Sequence, residues 1–98
     1  MLKKTYSNTK RFCRVTFQLP VEVKAETAHL CGEFNGWNLK SHPMKRRKDG
    51  SFALTLSLQA GQQYRFRYLL DGKRWENDWA ADGYVPNLFG SEDSLVKT

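Results

Sequence analysis

Apolar and polar residues alternate along most of the chain. Cys13, Val15, Phe17 and Leu19 share one parity, and Arg14, Thr16 and Gln18 share the other. A period of two marks a strand with one face buried and one wet, and Pro20 closes it. Val21 to Ala25 forms a brief second run, and Ala28 to Gly32 reads as another short strand. Phe52, Leu54, Leu56 and Leu58 line one face of a later strand, with Ala53, Thr55 and Ser57 opposite. Tyr64, Phe66, Tyr68 and Leu70 repeat the pattern, and the reverse face of that segment carries Arg65 and Arg67. Asp49-Gly50, Ala60-Gly61 and Asp71-Gly72 are reversal signals between these runs. Lys73 to Asn77 is the expected return strand of the last reversal. Asp78 to Asp93 reads as a looser segment containing Gly83, Pro86 and Gly90, and Ser94 to Lys97 as a closing strand. No apolar spacing of helical period runs over ten or more positions.

The sharpest local signal is Gly32-Glu33-Phe34-Asn35-Gly36-Trp37-Asn38. Asn and Gly tolerate positive φ, so Asn35-Gly36 predicts a tight reversal. Phe34, before the turn, is placed to anchor it by packing inward, and Trp37 is left on its far side.

Seven or so short strands with turn signals every 8–12 residues predict an antiparallel β-sandwich. A five-stranded barrel of the OB type is the alternative, because basic strands bearing aromatics also suit it. A chain of 98 residues has room for one domain. The first fourteen residues carry Lys3, Lys4, Lys10, Arg11 and Arg14 and no acid. They read as a basic, flexible arm, which leaves residues 15–98 as the folded domain. The formal charge of +6 admits polyanions as partners without selecting one. No stretch is long and apolar enough to span a bilayer, and the basic start has no apolar run behind it, so a cytoplasmic location is expected. Cys13 and Cys31 lie in no CxxC pair, and with His29 and His42 they offer no metal-ligand spacing. Two reduced structural thiols and no cofactor are therefore expected.

Gly32 to Trp37, then Tyr64-Arg65-Phe66-Arg67-Tyr68-Leu69-Leu70-Asp71-Gly72, then Trp75-Glu76-Asn77-Asp78, resemble carbohydrate-binding module family 48. That family includes the glycogen-binding domain of AMP-activated kinase β subunits and the N-terminal domains of isoamylases and branching enzymes. The resemblance runs from about Val15 to Lys97. It implies an all-β, immunoglobulin-like (early-set) sandwich that binds α-glucan such as glycogen, starch or maltooligosaccharides, without catalysis and in support of a glycogen-metabolising enzyme.

The residues themselves make chemical sense of such a site. A pyranose offers a flat patch of C–H groups ringed by hydroxyls; an exposed indole matches the patch, and amide or charged groups match the rim. Trp37 and Trp75, set at an angle, would fit a curved α-1,4-linked chain, and Arg67 points away from the buried face of its strand, where it can reach a hydroxyl. The resemblance adds a closing loop with an aliphatic residue, a hydroxyl and an asparagine. The matching positions are Phe89, Ser91 and Asp93, with Leu88 able to take the aliphatic role. The chain departs from the family at three of these places: arginine for a frequent lysine at Arg67, a bulkier ring at Phe89, and a carboxylate for the amide at Asp93. Trp79 and Tyr84 are expected to pack the long loop.

Glu33, Glu76, Asp78 and Asp82 are the carboxylates to weigh for glycoside hydrolysis. No motif places a general acid among them, and they read instead as turn formers and partners of Lys73 and Arg74. Single-stranded nucleic-acid binding is the rival reading, resting on the charge and on Lys45-Arg46-Arg47-Lys48. A sandwich that serves protein contacts and has lost its glucan site is the third.

Overall fold

The computed structural model describes residues 2–98 and is an all-β sandwich of two antiparallel sheets. One sheet comprises β1 (Leu2–Tyr6), β2 (Phe12–Leu19), β5 (Phe52–Gln59) and β4 (Lys45–Arg46), in that order across the sheet. The other runs β3 (Ala28–Gly32), β6 (Gln63–Leu70), β9 (Glu92–Lys97), β8 (Gly83–Pro86), with β7 (Arg74–Glu76) paired to the far half of β6. We refer to them as sheet A and sheet B. Two open-edged sheets face each other here, so the closed-barrel alternative falls.

The period-two runs set the register. Val15 lies opposite Leu56 and Phe17 opposite Leu54 in sheet A, while Leu30 lies opposite Tyr68 and Val96 opposite Tyr64 in sheet B. The inward sets meet in one core containing Phe17, Leu19, Leu30, Phe52, Phe66, Tyr68, Leu70 and Val96. Its aromatic spine is Phe17 edge-on to Phe66 at 5.1 Å and Phe66 edge-on to Tyr68 at 5.6 Å. Truncating such a ring removes transfer free energy and leaves a cavity, together about 3–5 kcal/mol.

The predicted reversals form as expected. Asp49-Gly50 closes the β4–β5 hairpin, with Gly50 at φ 91°, and Asp71-Gly72 turns with both residues at positive φ. Asp71 is tied down twice more, its carboxylate accepting the backbone N–H groups of Glu26 and Thr27. Those bonds, Thr27's foremost, hold its carboxyl below the usual range.

Four expectations need correction. Residues 2–6, read as a free arm, form an edge strand in register with β2, Leu2 opposite Phe17 and Tyr6 opposite Cys13. The edge is fastened from its inward side, where Lys4 pairs with Asp82 and the Tyr6 hydroxyl donates to the carbonyl of Thr98. The folded unit therefore begins well before residue 15. Val21–Val23 is a single 3-10 turn, because Lys24 enters the left-handed region and ends it. The looser segment contains β8, which pairs with β9. Finally, among the described residues Glu76 accepts the Trp79 indole N–H and Asp82 pairs with Lys4, rather than with the expected Lys73 and Arg74. Asp78 is buried, accepting from the Tyr68 hydroxyl at 2.7 Å and from the N–H of Ala80. Burial first, and then the Asp78 charge, push the Tyr68 phenol well above its ordinary range. Arg74 turns instead to the carbonyls of Val23 and Lys24.

Candidate functional site

The outward face of sheet B carries a groove of about 560 Å³, and its floor follows from strand parity. Tyr64, Phe66 and Tyr68 take the inward positions of β6, so Arg65 and Arg67 must point outward, and both line the groove. Trp75 lies opposite Leu69 in the next strand, on the same outward parity, and lines the groove beside them. Its indole stays 40% exposed, with the Arg67 guanidinium carbon 5.6 Å from the ring centroid. That distance is within cation–π range. It fixes the long arginine stem, while Arg67 Nε is buried without a hydrogen-bond partner among the described residues.

Trp37 also lines the groove and arrives by another route. Gly32 is extended, and a Cβ there would lie 2.6 Å from the carbonyl oxygen of Arg65 and 2.8 Å from the Phe34 ring. Glycine is required for close approach rather than for its φ. The chain then makes a 3-10 turn over Glu33–Asn35, with Gly36 at φ 64° and Trp37 itself at φ 60°. A bulky residue in the left-handed region costs on the order of 1–2 kcal/mol. The conformation is held by the Trp37 N–H donating to the Gly32 carbonyl at 2.8 Å. Asn35 locks the turn from inside: its Oδ1 accepts the Gly32 N–H, and its Nδ2 donates to the Leu30 carbonyl and to Nδ1 of His42. Because the two backbone groups fix the amide's orientation, His42 Nδ1 is an acceptor. Phe34 packs inward as expected, 5.7 Å from Phe17 and 6.1 Å from Tyr64.

The loop between β8 and β9 supplies the rim. Asn87 is its hub: the side-chain oxygen accepts the N–H groups of Phe89 and Ser91, and the amide nitrogen donates to Asp93 Oδ1. The result is a tip on which Leu88 and Phe89 are 98% and 91% exposed, both lining the groove.

Six of the seven residues singled out from the sequence thus line one groove: Trp37, Arg67, Trp75, Leu88, Phe89 and Asp93. Ser91 does not; it is exposed, and its backbone closes the loop onto Asn87 in both directions. Asp93 differs in role. It is only 6% exposed, with one oxygen bonded to Asn87 and the other 3.8 Å from Arg65 Nη1, so it braces the rim. Glu33, weighed above only as a catalytic carboxylate, also lines the groove, as do Arg65 and Asn87, which the sequence reading does not single out. Outward parity on β6 was the available signal for Arg65. Trp79, expected to pack the loop, is 56% exposed and outside the groove, its indole N–H reaching Glu76 at 3.3 Å. Tyr84 does brace that segment, its hydroxyl donating to the Asp78 carbonyl.

Two carboxylates reach the groove, and both are committed: Glu33 accepts the Arg65 backbone N–H at 2.6 Å, and Asp93 is braced as described. Among the described residues no cluster of His, Cys, Asp and Glu could hold a metal, and no helix is long and apolar enough to cross a membrane. Both cysteines are free and buried. The basic run at Lys45–Lys48 starts on β4 of sheet A, away from the indoles of sheet B.

Comparison with known proteins is consistent with this geometry. The model of carbohydrate-binding module 48 (isoamylase N-terminal domain) matches residues 22–85. The chain is 36% identical over 75 residues to the 1,4-alpha-glucan branching enzyme GlgB of Photobacterium profundum. That alignment takes in 74% of this chain and 10% of the enzyme, so the chain spans about a tenth of that relative's length.

Proposed function

Since the chain belongs to the carbohydrate-binding module 48 family, we propose that it binds α-glucan, such as glycogen, starch or maltooligosaccharides, in the sheet B groove without catalysing a reaction. The observation that carries this reading is the convergence of Trp37, Trp75 and Arg67, far apart in sequence, on one open groove. In it the indoles stack on the apolar faces of glucose rings, and Arg67 donates from its guanidinium to ring hydroxyls. Leu88 and Phe89 close over the polymer from the rim. Asp93 and Ser91 hold that loop in place, the first through its side chain and the second through its backbone. Glycoside hydrolysis would need a protonated carboxyl beside the bond and a second carboxylate across from it. Glu33 and Asp93 are instead spent on structural hydrogen bonds.

An open, wet groove of this kind gives modest affinity, about −4 to −8 kcal/mol, or millimolar to micromolar. A polymer with many equivalent segments multiplies it. The role that follows is to hold glucan near a cytoplasmic glucan-processing enzyme. Migration through native gels containing glycogen tests the binding: the wild-type chain is retarded, and Trp37→Ala and Trp75→Ala each recover most of the free mobility. Equal mobility of all three with and without glycogen would overturn the reading.

A further inference from the structure

Sheet A is left unfinished along one side. β4 pairs with β5 at only two positions, Lys45 with Ala53 and Arg46 with Phe52. Just before them the chain has crossed to sheet B, where Pro43 bridges to His29 and the Met44 N–H donates to the carbonyl of Ala28. Proline has no N–H to continue the β4 ladder, so the strand cannot extend backwards along β5. From Leu54 to Leu58, β5 is therefore covered by β2 on one side and open on the other.

The hairpin fixes which groups are stranded. Arg47 N–H donates to the Ser51 carbonyl, so Ser51 and Ala53 direct their backbone bonds toward β4. Alternation continues the phase: Thr55 and Ser57 aim N–H and C=O at the open side, with no partner among the described residues. Leu54 and Leu56, half-buried, lie along the same edge. Where β4 departs, a cleft of about 370 Å³ is lined by Thr16, Lys45, Arg47, Ala53, Leu54 and Thr55. The four strands of this sheet contain no carboxylate, and Lys3 and Arg14 stand on its outward face level with Thr16 and Thr5.

We propose that the open edge of β5 is a docking site for an extended acidic segment of a partner polypeptide, which adds as a further strand beside Thr55 and Ser57. Its carboxylates meet Lys45 and Arg47, and its apolar side chains cover Leu54 and Leu56. The charge selects against a second copy, since each chain carries +6 and edge-to-edge pairing would bring these cations together. The edge favours a polypeptide over a phosphate backbone: phosphates only accept hydrogen bonds, whereas Thr55 and Ser57 present carbonyls that need donors. An extended polypeptide supplies both.

The test is amide hydrogen exchange by NMR on the whole chain, with a synthetic peptide of about eight alternating Glu and Val residues and its Lys/Val counterpart as control. The acidic peptide slows exchange at Thr55 and Ser57, and the basic one does not. The double variant Lys45→Glu/Arg47→Glu binds the acidic peptide about tenfold more weakly while its retention by glycogen is unchanged. Thr55→Pro, which leaves the β2 ladder intact, abolishes the protection. Unaltered exchange at both amides, or equal peptide affinity in the charge-reversed variant, overturns the proposal. So does protection that rises with protein concentration alone, or an oligonucleotide that binds this face when the peptide does not. Because the glycogen arm is read separately, the proposal can fail while the sheet B site stands, and the reverse.

Discussion

The two indoles of the groove are presented by opposite means. Trp75 sits on an ordinary strand, where register with Leu69 decides its direction and Arg67 steadies its ring. Trp37 sits on a turn that holds it at φ 60°, a conformation disfavoured for its residue type, between Gly32, Asn35 and Gly36. A strand carries a side chain at no conformational cost but only along its own direction. The turn accepts local strain and brings a second indole to the same groove. Strain at a site persists only where neighbours over-determine it, and here they are a glycine with no room for a Cβ and an asparagine with three partners.

Removing the turn's closest contact should separate the two most strongly. Gly32→Ala drives a methyl into the Arg65 carbonyl, a backbone atom that cannot step aside. A loss of about 3 kcal/mol or more in denaturant unfolding is expected, together with loss of glycogen retention. Asn35→Ala is next, leaving the Gly32 N–H and the Leu30 carbonyl without their side-chain partner. Thermal unfolding should report about 2 kcal/mol, and glucan affinity should fall with it because Trp37 loses its seat. On the Trp75 side, Tyr68→Phe strips buried Asp78 of a hydroxyl and costs about 1–3 kcal/mol, but the β7 register survives and binding is retained.

A finer contrast lies at Trp37 itself. Trp37→Gly relieves the positive φ and should be more stable than Trp37→Ala by about 1 kcal/mol, with both equally poor in glycogen gels. At Trp75, where the backbone is regular, glycine should instead be the less stable of the pair. The smallest effect is on pH. The carboxyl of Asp71, whose turn leads into β7, is held low by the N–H groups of Thr27 and Glu26. Its contribution is present above the ordinary carboxylate range and fades as pH drops through the depressed folded value. Asp71→Asn should therefore show a shallower loss of stability below about pH 4.

How much of this was legible in the sequence depended on the kind of force involved. Strands whose apolar residues alternate over four or more positions, as in Cys13–Leu19 and Phe52–Leu58, declare both their existence and their buried face. β1 did not, because Lys3 and Lys4 look like solvent-seeking residues until Asp82 is placed beside them by the fold. The convergence of Trp37, Arg67 and Trp75 could be anticipated from motif order and outward parity. Asp93 looked like a ligand acceptor, but its burial follows from Asn87 and Arg65 arriving from elsewhere in space. Trp79 shows the limit of residue type alone: it is more exposed than Trp75, and yet it lies outside the groove.

That third tryptophan makes the deciding measurement possible. The chain has three indole N–H groups, each giving its own NMR signal, and a titration with maltoheptaose follows them at once. The Trp37 and Trp75 signals are expected to shift together along one saturating curve while Trp79 stays in place. A titration in which neither groove indole moves, or in which Trp79 alone responds, would contradict that expectation.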